Sequence, residues 1–86
     1  MTRYTVVWWQ TAHDELTQLW LESPARRQIT KAVSDIDRLL AARADSIGDE
    51  VHEGLRRLEV GPLRVQFSVE RDDRLVRVWS VRMLDP

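Results

Sequence analysis

The spacing of hydrophobic residues divides this chain into segments of different period. Tyr4-Thr5-Val6-Val7-Trp8-Trp9 is dense in β-branched and aromatic residues and reads as a strand covered at least partly on both faces. Thr11 offers a helix N-cap, and Asp14 three residues on completes a weak capping box. Ala12, Leu16, Leu19 and Trp20 follow at helical spacing, which predicts a first helix over 12–22 with Trp20 in the core. Ser23-Pro24 stops it and starts another, with Ser as cap and Pro at the first helical position. Ala25, Ile29, Ala32, Val33, Ile36, Leu39 and Leu40 then recur every three or four residues, an amphipathic helix of about twenty residues. The short connection predicts an αα-hairpin.

Residues 45–54 are polar and acidic and read as a loop. Beyond them the period drops to two. Leu58 and Val60 alternate with Arg57 and Glu59, and Gly61-Pro62 makes a turn. Leu63, Val65, Phe67 and Val69 then alternate with Arg64, Gln66, Ser68 and Glu70. Residues 71–74 form a charged hairpin loop, and a last strand runs over 75–83. Val76 and Val78 share a face there, but Val81 is out of phase, so a β-bulge near Trp79-Ser80 is expected to return it to the core. The order β-α-α-β-β-β describes an α+β domain: a helical hairpin on one face of a small, mainly antiparallel sheet. The neighbour of the first strand is left open.

At 86 residues the chain has room for one domain, 1–86. It has no cysteine, which excludes disulfides, thiolate zinc sites and cysteine nucleophiles. Its three glycines are scattered and cannot form a phosphate-cradling loop. No long apolar run suggests a signal peptide or a membrane span, so a cytoplasmic protein without membrane contact is expected. The net charge is -1, low for a general nucleic-acid binder. It is unevenly spread: residues 1–54 carry six Lys/Arg against nine Asp/Glu, and 55–86 carry seven Arg against five.

His13 and His52 lie on different segments without metal-ligand spacing and read as surface residues; no metal and no cofactor is expected. The adjacent pairs Asp14-Glu15 and Asp49-Glu50 read as solvated charge. The informative stretch is 53–65, where Arg56 and Arg64 fall on strands joined by the Gly61-Pro62 turn. Arg64 points away from the Val65 face, toward the side of the sheet without helices. Two readings are open: a basic sheet face that binds phosphate, or cross-strand pairing of Arg57, Arg64 and Arg77 with Glu59 and Glu70 and nothing more. Trp8 and Trp9 point to opposite faces, one to the core and one to the open side. Trp79, at the bulge, is placed to stack on a base, anchor a partner or lie under arginine stems.

The order of elements, Tyr-x-Val-x-Trp at 4–8, Ala12 and Leu16, the Gly-Leu-Arg-Arg-Leu-Glu-Val-Gly-Pro-Leu-Arg-Val segment at 54–65 and Val-Arg-Val-Trp-Ser-Val at 76–81 together resemble the RelE/ParE superfamily, toxins of bacterial type II toxin–antitoxin modules. The resemblance implies a growth-arresting toxin held inactive by a cognate antitoxin. In the RelE-like branch it implies a ribosome-dependent, metal-free mRNA endonuclease, in which the RNA 2′-hydroxyl attacks the adjacent phosphate. Arg64 would then grip the scissile phosphate, Arg56 would supply charge and Glu53 a base, with Arg57, Arg82 and Trp79 binding RNA or a partner. In the ParE-like branch it implies binding of DNA gyrase without RNA cleavage; a degenerate toxin that binds only its antitoxin is a further alternative. The C-terminus departs from the ribonuclease pattern. It reads Val81-Arg82-Met83-Leu84-Asp85-Pro86, where active members carry a His or Lys, an Arg and then a Tyr.

Overall fold

A computed structural model describes residues 3–84. Two helices cover one face of a five-stranded sheet. The elements are β1 (Thr5–Trp8), α1 (Gln10–Glu22), α2 (Arg26–Arg43), β2 (Asp49–His52), β3 (Leu55–Val60), β4 (Leu63–Glu70) and β5 (Leu75–Met83). The spatial order is β1-β5-β4-β3-β2. β1 runs parallel to β5, and every other pairing is antiparallel. This is the expected α+β layering with one strand more than the hydrophobic pattern gave.

That strand is β2, inside the segment expected to be a loop. Its four residues are all exposed, so no side chain reports a buried face. It is held by backbone pairing to β3, with a register irregularity between Glu50 and His52. Gly48 makes the approach possible. Its φ is +79°, and a Cβ there would lie 2.3 Å from the Arg57 carbonyl oxygen.

The core is built by the periods read above. Ile29, Ala32, Ile36 and Leu40 of α2 pack on Leu63, Val65 and Phe67 of β4 and Val76, Val78 and Val81 of β5. The bulge expected in β5 is present: Phe67 pairs with Val78 and Gln66 with Ser80, which leaves Trp79 as the extra residue. It brings Val78 and Val81 to the same buried face although three positions separate them. In β1, Val6 and Trp8 lie beside Val76 and Val78. The Trp8 indole Nε1 donates to Asp37 Oδ1 of α2 at 2.6 Å, so its one polar atom is satisfied beneath the helix.

Both helix starts differ from expectation. α1 begins two residues early, with Trp9 as its N-cap and no side-chain cap. Thr11 lies inside the helix, and its hydroxyl donates to the Trp79 carbonyl at 3.1 Å. α2 begins at Arg26 rather than at Pro24. Ser23 Oγ accepts the Ala25 N–H at 3.0 Å, ahead of the helix proper. Trp20 is 39% exposed and stands at the rim of the helical layer instead of in the core. The Arg26 guanidinium lies 4.6 Å from its ring centroid, so a cation covers part of the indole that the sheet does not reach.

Candidate functional site: the open face of the sheet

Alternation along β3, β4 and β5 sends every second side chain away from the helices. On β4 these are Arg64, Gln66, Ser68 and Glu70, between the buried Leu63, Val65 and Phe67. On β3 they are Arg57 and Glu59, and on β5 they are Arg77, Ser80 and Arg82, with Trp79 added at the bulge. Among the described residues no helix covers this face. His13 and His52 are both exposed, and among the described residues no group of three His, Cys, Asp or Glu is placed to hold a metal ion. No helix among the described residues is long and apolar enough to cross a membrane.

Arg64 and Arg82 are direct cross-strand neighbours. Like charges in that position repel, and each guanidinium is matched by a carboxylate. Arg64 directs both Nε and Nη2 at Glu59 Oε2, at 2.8 and 2.7 Å. Arg82 pairs with Glu15 of α1. Farther along the face, Arg77 pairs with Glu70. The cross-strand pairing that the alternation allowed is therefore present for Arg64 and Arg77.

An aromatic cluster sits beside these pairs. The Trp9 and Trp79 rings are 5.3 Å apart and tilted by 51°. The Arg77 guanidinium lies 6.0 Å from the Trp9 ring, and Trp79 Nε1 donates to Ser68 Oγ at 2.8 Å. Trp9 remains 45% exposed. Of the adjacent pair, Trp8 faces the core and Trp9 is open, as expected. Sequence reasoning missed the Trp9–Arg77 contact, because it depends on β1 lying next to β5.

The three residues named for catalysis do not meet on one surface. Arg64 is on the open face. Arg56 pairs with the buried Phe67, so its side chain leaves β3 on the helix-covered side. Its guanidinium donates through Nε and Nη2 to the Ile47 carbonyl at 3.2 and 3.1 Å and through Nη2 to the Gly48 carbonyl at 3.0 Å. It anchors the chain that enters β2. Glu53 lies in the exposed turn between β2 and β3. Tyr4, the only tyrosine, is buried in the core and offers no proton to the open face. The signal for Arg56 was in the sequence: it stands two residues before Leu58, and the pleat puts both on one side.

The helical layer carries an apolar groove of about 270 Å³ lined by Leu16, Thr17, Trp20, Ile29, Thr30 and Val33.

The sequence matches no protein-family model and no curated protein. The fold, however, is shared with solved toxin–antitoxin proteins. A chain of the toxin–antitoxin complex RelBE2 from Mycobacterium tuberculosis superposes with a TM-score of 0.80 at 21% identity, covering 96% of this chain and 93% of that one. A chain of the chromosomal ParDE system of P. aeruginosa gives 0.70 at 17% identity, covering 96% and 98%. A YoeB dimer chain from Staphylococcus aureus gives 0.68 at 10% identity, covering 98% and 100%. The architecture is thus the RelE/ParE fold, as the sequence resemblance implied.

Proposed function

We propose that this chain is the toxin of a type II toxin–antitoxin module, and that it acts by binding its target rather than by cleaving RNA. The fold and the segment 54–65 support the toxin reading. A cognate antitoxin follows as partner, since similar folds were solved as toxin–antitoxin complexes. The observation that carries the mode of action is the divergence of the three candidate residues. Metal-free cleavage needs a base, a charge-stabilising cation and an acid around one phosphate. Here Arg56 is tied to the carbonyls of Ile47 and Gly48 on the covered side, while Arg64 faces the opposite way. Glu53 lies in an outlying turn, and the last cation of β5 is an arginine, Arg82, a residue type that does not act as a general acid. The exposed Trp9, beside Trp79 and Arg77, supplies the residue types that dominate protein–protein contacts, which suits a ParE-like target such as DNA gyrase.

The second reading is a RelE-like ribosome-dependent mRNA endonuclease. It is favoured by Arg64, which lies on the open face where the resemblance puts a phosphate-gripping arginine. Controlled expression in bacteria separates the two, with translation and DNA synthesis followed independently beside Arg64→Ala. A first fall in DNA synthesis, with mRNA intact, is expected. A rapid fall in translation that requires Arg64 would establish cleavage instead. Growth without arrest, with soluble folded protein in a host that carries the target, would overturn the toxin reading itself.

A further inference from the structure

We infer that the outer face of the helical hairpin is a self-association surface, on which two copies of this chain pair with α1 of each lying along α2 of the other. The starting observation is a separation of charge that the sheet does not show. On the open face Arg64, Arg77 and Arg82 each have a carboxylate partner. On α2, Arg26, Arg27, Lys31 and Arg38 line a shallow trough with one carboxylate among them, Asp35. α1 has the opposite sign: it carries Asp14, Glu15 and Glu22 and no Lys or Arg. Glu15 is taken by Arg82. Asp14 and Glu22 are exposed and have no ion pair among the described residues.

Spacing puts these charges on the faces turned away from the sheet. Asp14 and Leu21 are seven residues apart and share the stripe of α1 opposite Ala12, Leu16 and Leu19. Arg27, Lys31, Ser34 and Arg38 recur at four, three and four residues, opposite Ile29, Ala32, Ile36 and Leu40. Trp20 and Leu21, 39% and 55% exposed, are the large hydrophobic residues that the helices leave open. The trough on α2 and the apolar groove between the helices meet at Trp20 and Thr30, which line both.

Symmetry selects the arrangement. Two facing hairpins related by a two-fold axis place α1 over α1 and α2 over α2, or α1 over α2. The first sets the cations of α2 against their own copies, and like charges across an interface repel. The second sets an acidic helix on a basic one. The heights agree with the second. Trp20 Nε1 donates to Thr30 Oγ1 at 3.3 Å, so these two residues are level. From there Asp14 lies about 9 Å down α1 and Arg38 about 12 Å down α2 at the helical rise, in one direction because the hairpin is antiparallel. Leu21 is level with the aliphatic stems of Arg27 and Lys31, which an apolar side chain can cover. In the paired hairpins Asp14 of each copy meets Arg38 of the other, and the two grooves face each other near the axis. The inference does not depend on the toxin reading.

The test is sedimentation equilibrium of the full chain at low and high salt. Wild type, Leu21→Arg, Asp14→Arg, Arg38→Glu and the double variant Asp14→Arg/Arg38→Glu would be compared, with circular dichroism to verify each fold. Wild type is expected to form a dimer that weakens as salt rises. Each substitution counts twice in a two-fold dimer, so Asp14→Arg and Arg38→Glu should each lower the association constant about tenfold, the size of two exposed ion pairs. Leu21→Arg, which sets a cation against Arg27 and Lys31, should weaken it at least as much. The double variant, with both signs exchanged, should regain the wild-type constant. A wild-type chain that stays monomeric at its highest soluble concentration overturns the inference and leaves this face to a helix of another protein. A dimer that neither salt nor Leu21→Arg weakens overturns it too, and so does a double variant that does not recover. The readout needs neither antitoxin nor target, so failure here is distinct from failure of the toxin reading.

Discussion

The Glu15 carboxylate of α1 accepts the backbone N–H of Val81 at 3.2 Å, so a helix side chain continues the hydrogen bonding of β5 where its neighbouring strand ends. β1 pairs with β5 only as far as Val78. Beyond that point the strand would expose unpaired backbone groups. Thr11 takes the Trp79 carbonyl and Glu15 the Val81 N–H, while Arg82 closes over the same carboxylate. Helix α1 is thus both a core layer and a cover for the sheet edge.

Glu15→Ala removes that cover. It leaves a half-buried N–H without its acceptor, which costs about 1–3 kcal/mol. A fall in the urea midpoint with unchanged m-value is expected, together with faster amide exchange at Val81. An unchanged Val81 exchange rate would contradict the edge-covering role.

Arg56 and Arg64 should separate stability from function. Arg56→Ala strips the Ile47 and Gly48 carbonyls of a charged donor, at a cost of about 1.5–3 kcal/mol. Arg64→Ala breaks only an exposed pair and should stay within about 0.5 kcal/mol of wild type. Chemical denaturation of the two variants side by side checks the ordering; equal losses would mean that Arg56 carries no structural load.

The two glycines that flank β2 should respond differently to alanine. Both have φ near +80°, a conformation that costs a residue with a Cβ roughly 1–2 kcal/mol. At Gly54 nothing lies within 4 Å of the new Cβ, so Gly54→Ala should lose about that much. At Gly48 the Cβ would meet the Arg57 backbone, and β2 must move away from β3. Hydrogen exchange should show the β2–β3 amides opened in Gly48→Ala while β4–β5 stays protected.

Phe67 is fully buried at the centre of β4, opposite the bulge. Phe67→Ala should cost about 3–5 kcal/mol through lost burial and a residual cavity. Small domains hold only about 5–15 kcal/mol in total. Thermal melts should therefore show a large drop in Tm or an unfolded chain.

On α2, the hydrogen bond from Lys31 holds the Asp35 carboxyl below its ordinary pKa, and the charges of Lys31 and Arg38 add to the effect. A depressed carboxylate pKa means that the folded state binds this proton less readily than the unfolded state. The stabilisation is present above the unfolded value near 3.8 and is lost as pH falls through the lower folded value. An NMR titration should place the Asp35 midpoint below 3.8 and should move it upward in Lys31→Gln. High salt should weaken the effect, because the Lys31 and Arg38 side chains that supply it are exposed.

The hydrophobic pattern alone determined the helical hairpin, strands β3 to β5 and the bulge at Trp79. In each of these a periodic set of side chains must reach one core, and a break in period has a geometric meaning. The pattern also carried the facing of Arg64, and of Arg56 once parity with Leu58 is applied. Tertiary structure decided the rest. The parallel pairing of β1 with β5 and the existence of β2 rest on backbone hydrogen bonds, which every residue can make and which leave no periodic trace. The exposure of Trp20, the Trp9–Trp79–Arg77 cluster and the closing of Arg82 by Glu15 depend on which strand lies beside which. The proximity of Arg64 and Arg82, eighteen positions apart in the chain, arises from pairing across the β4–β5 hairpin and its bulge. Residue types set what each side chain can do, and strand order set which of them meet.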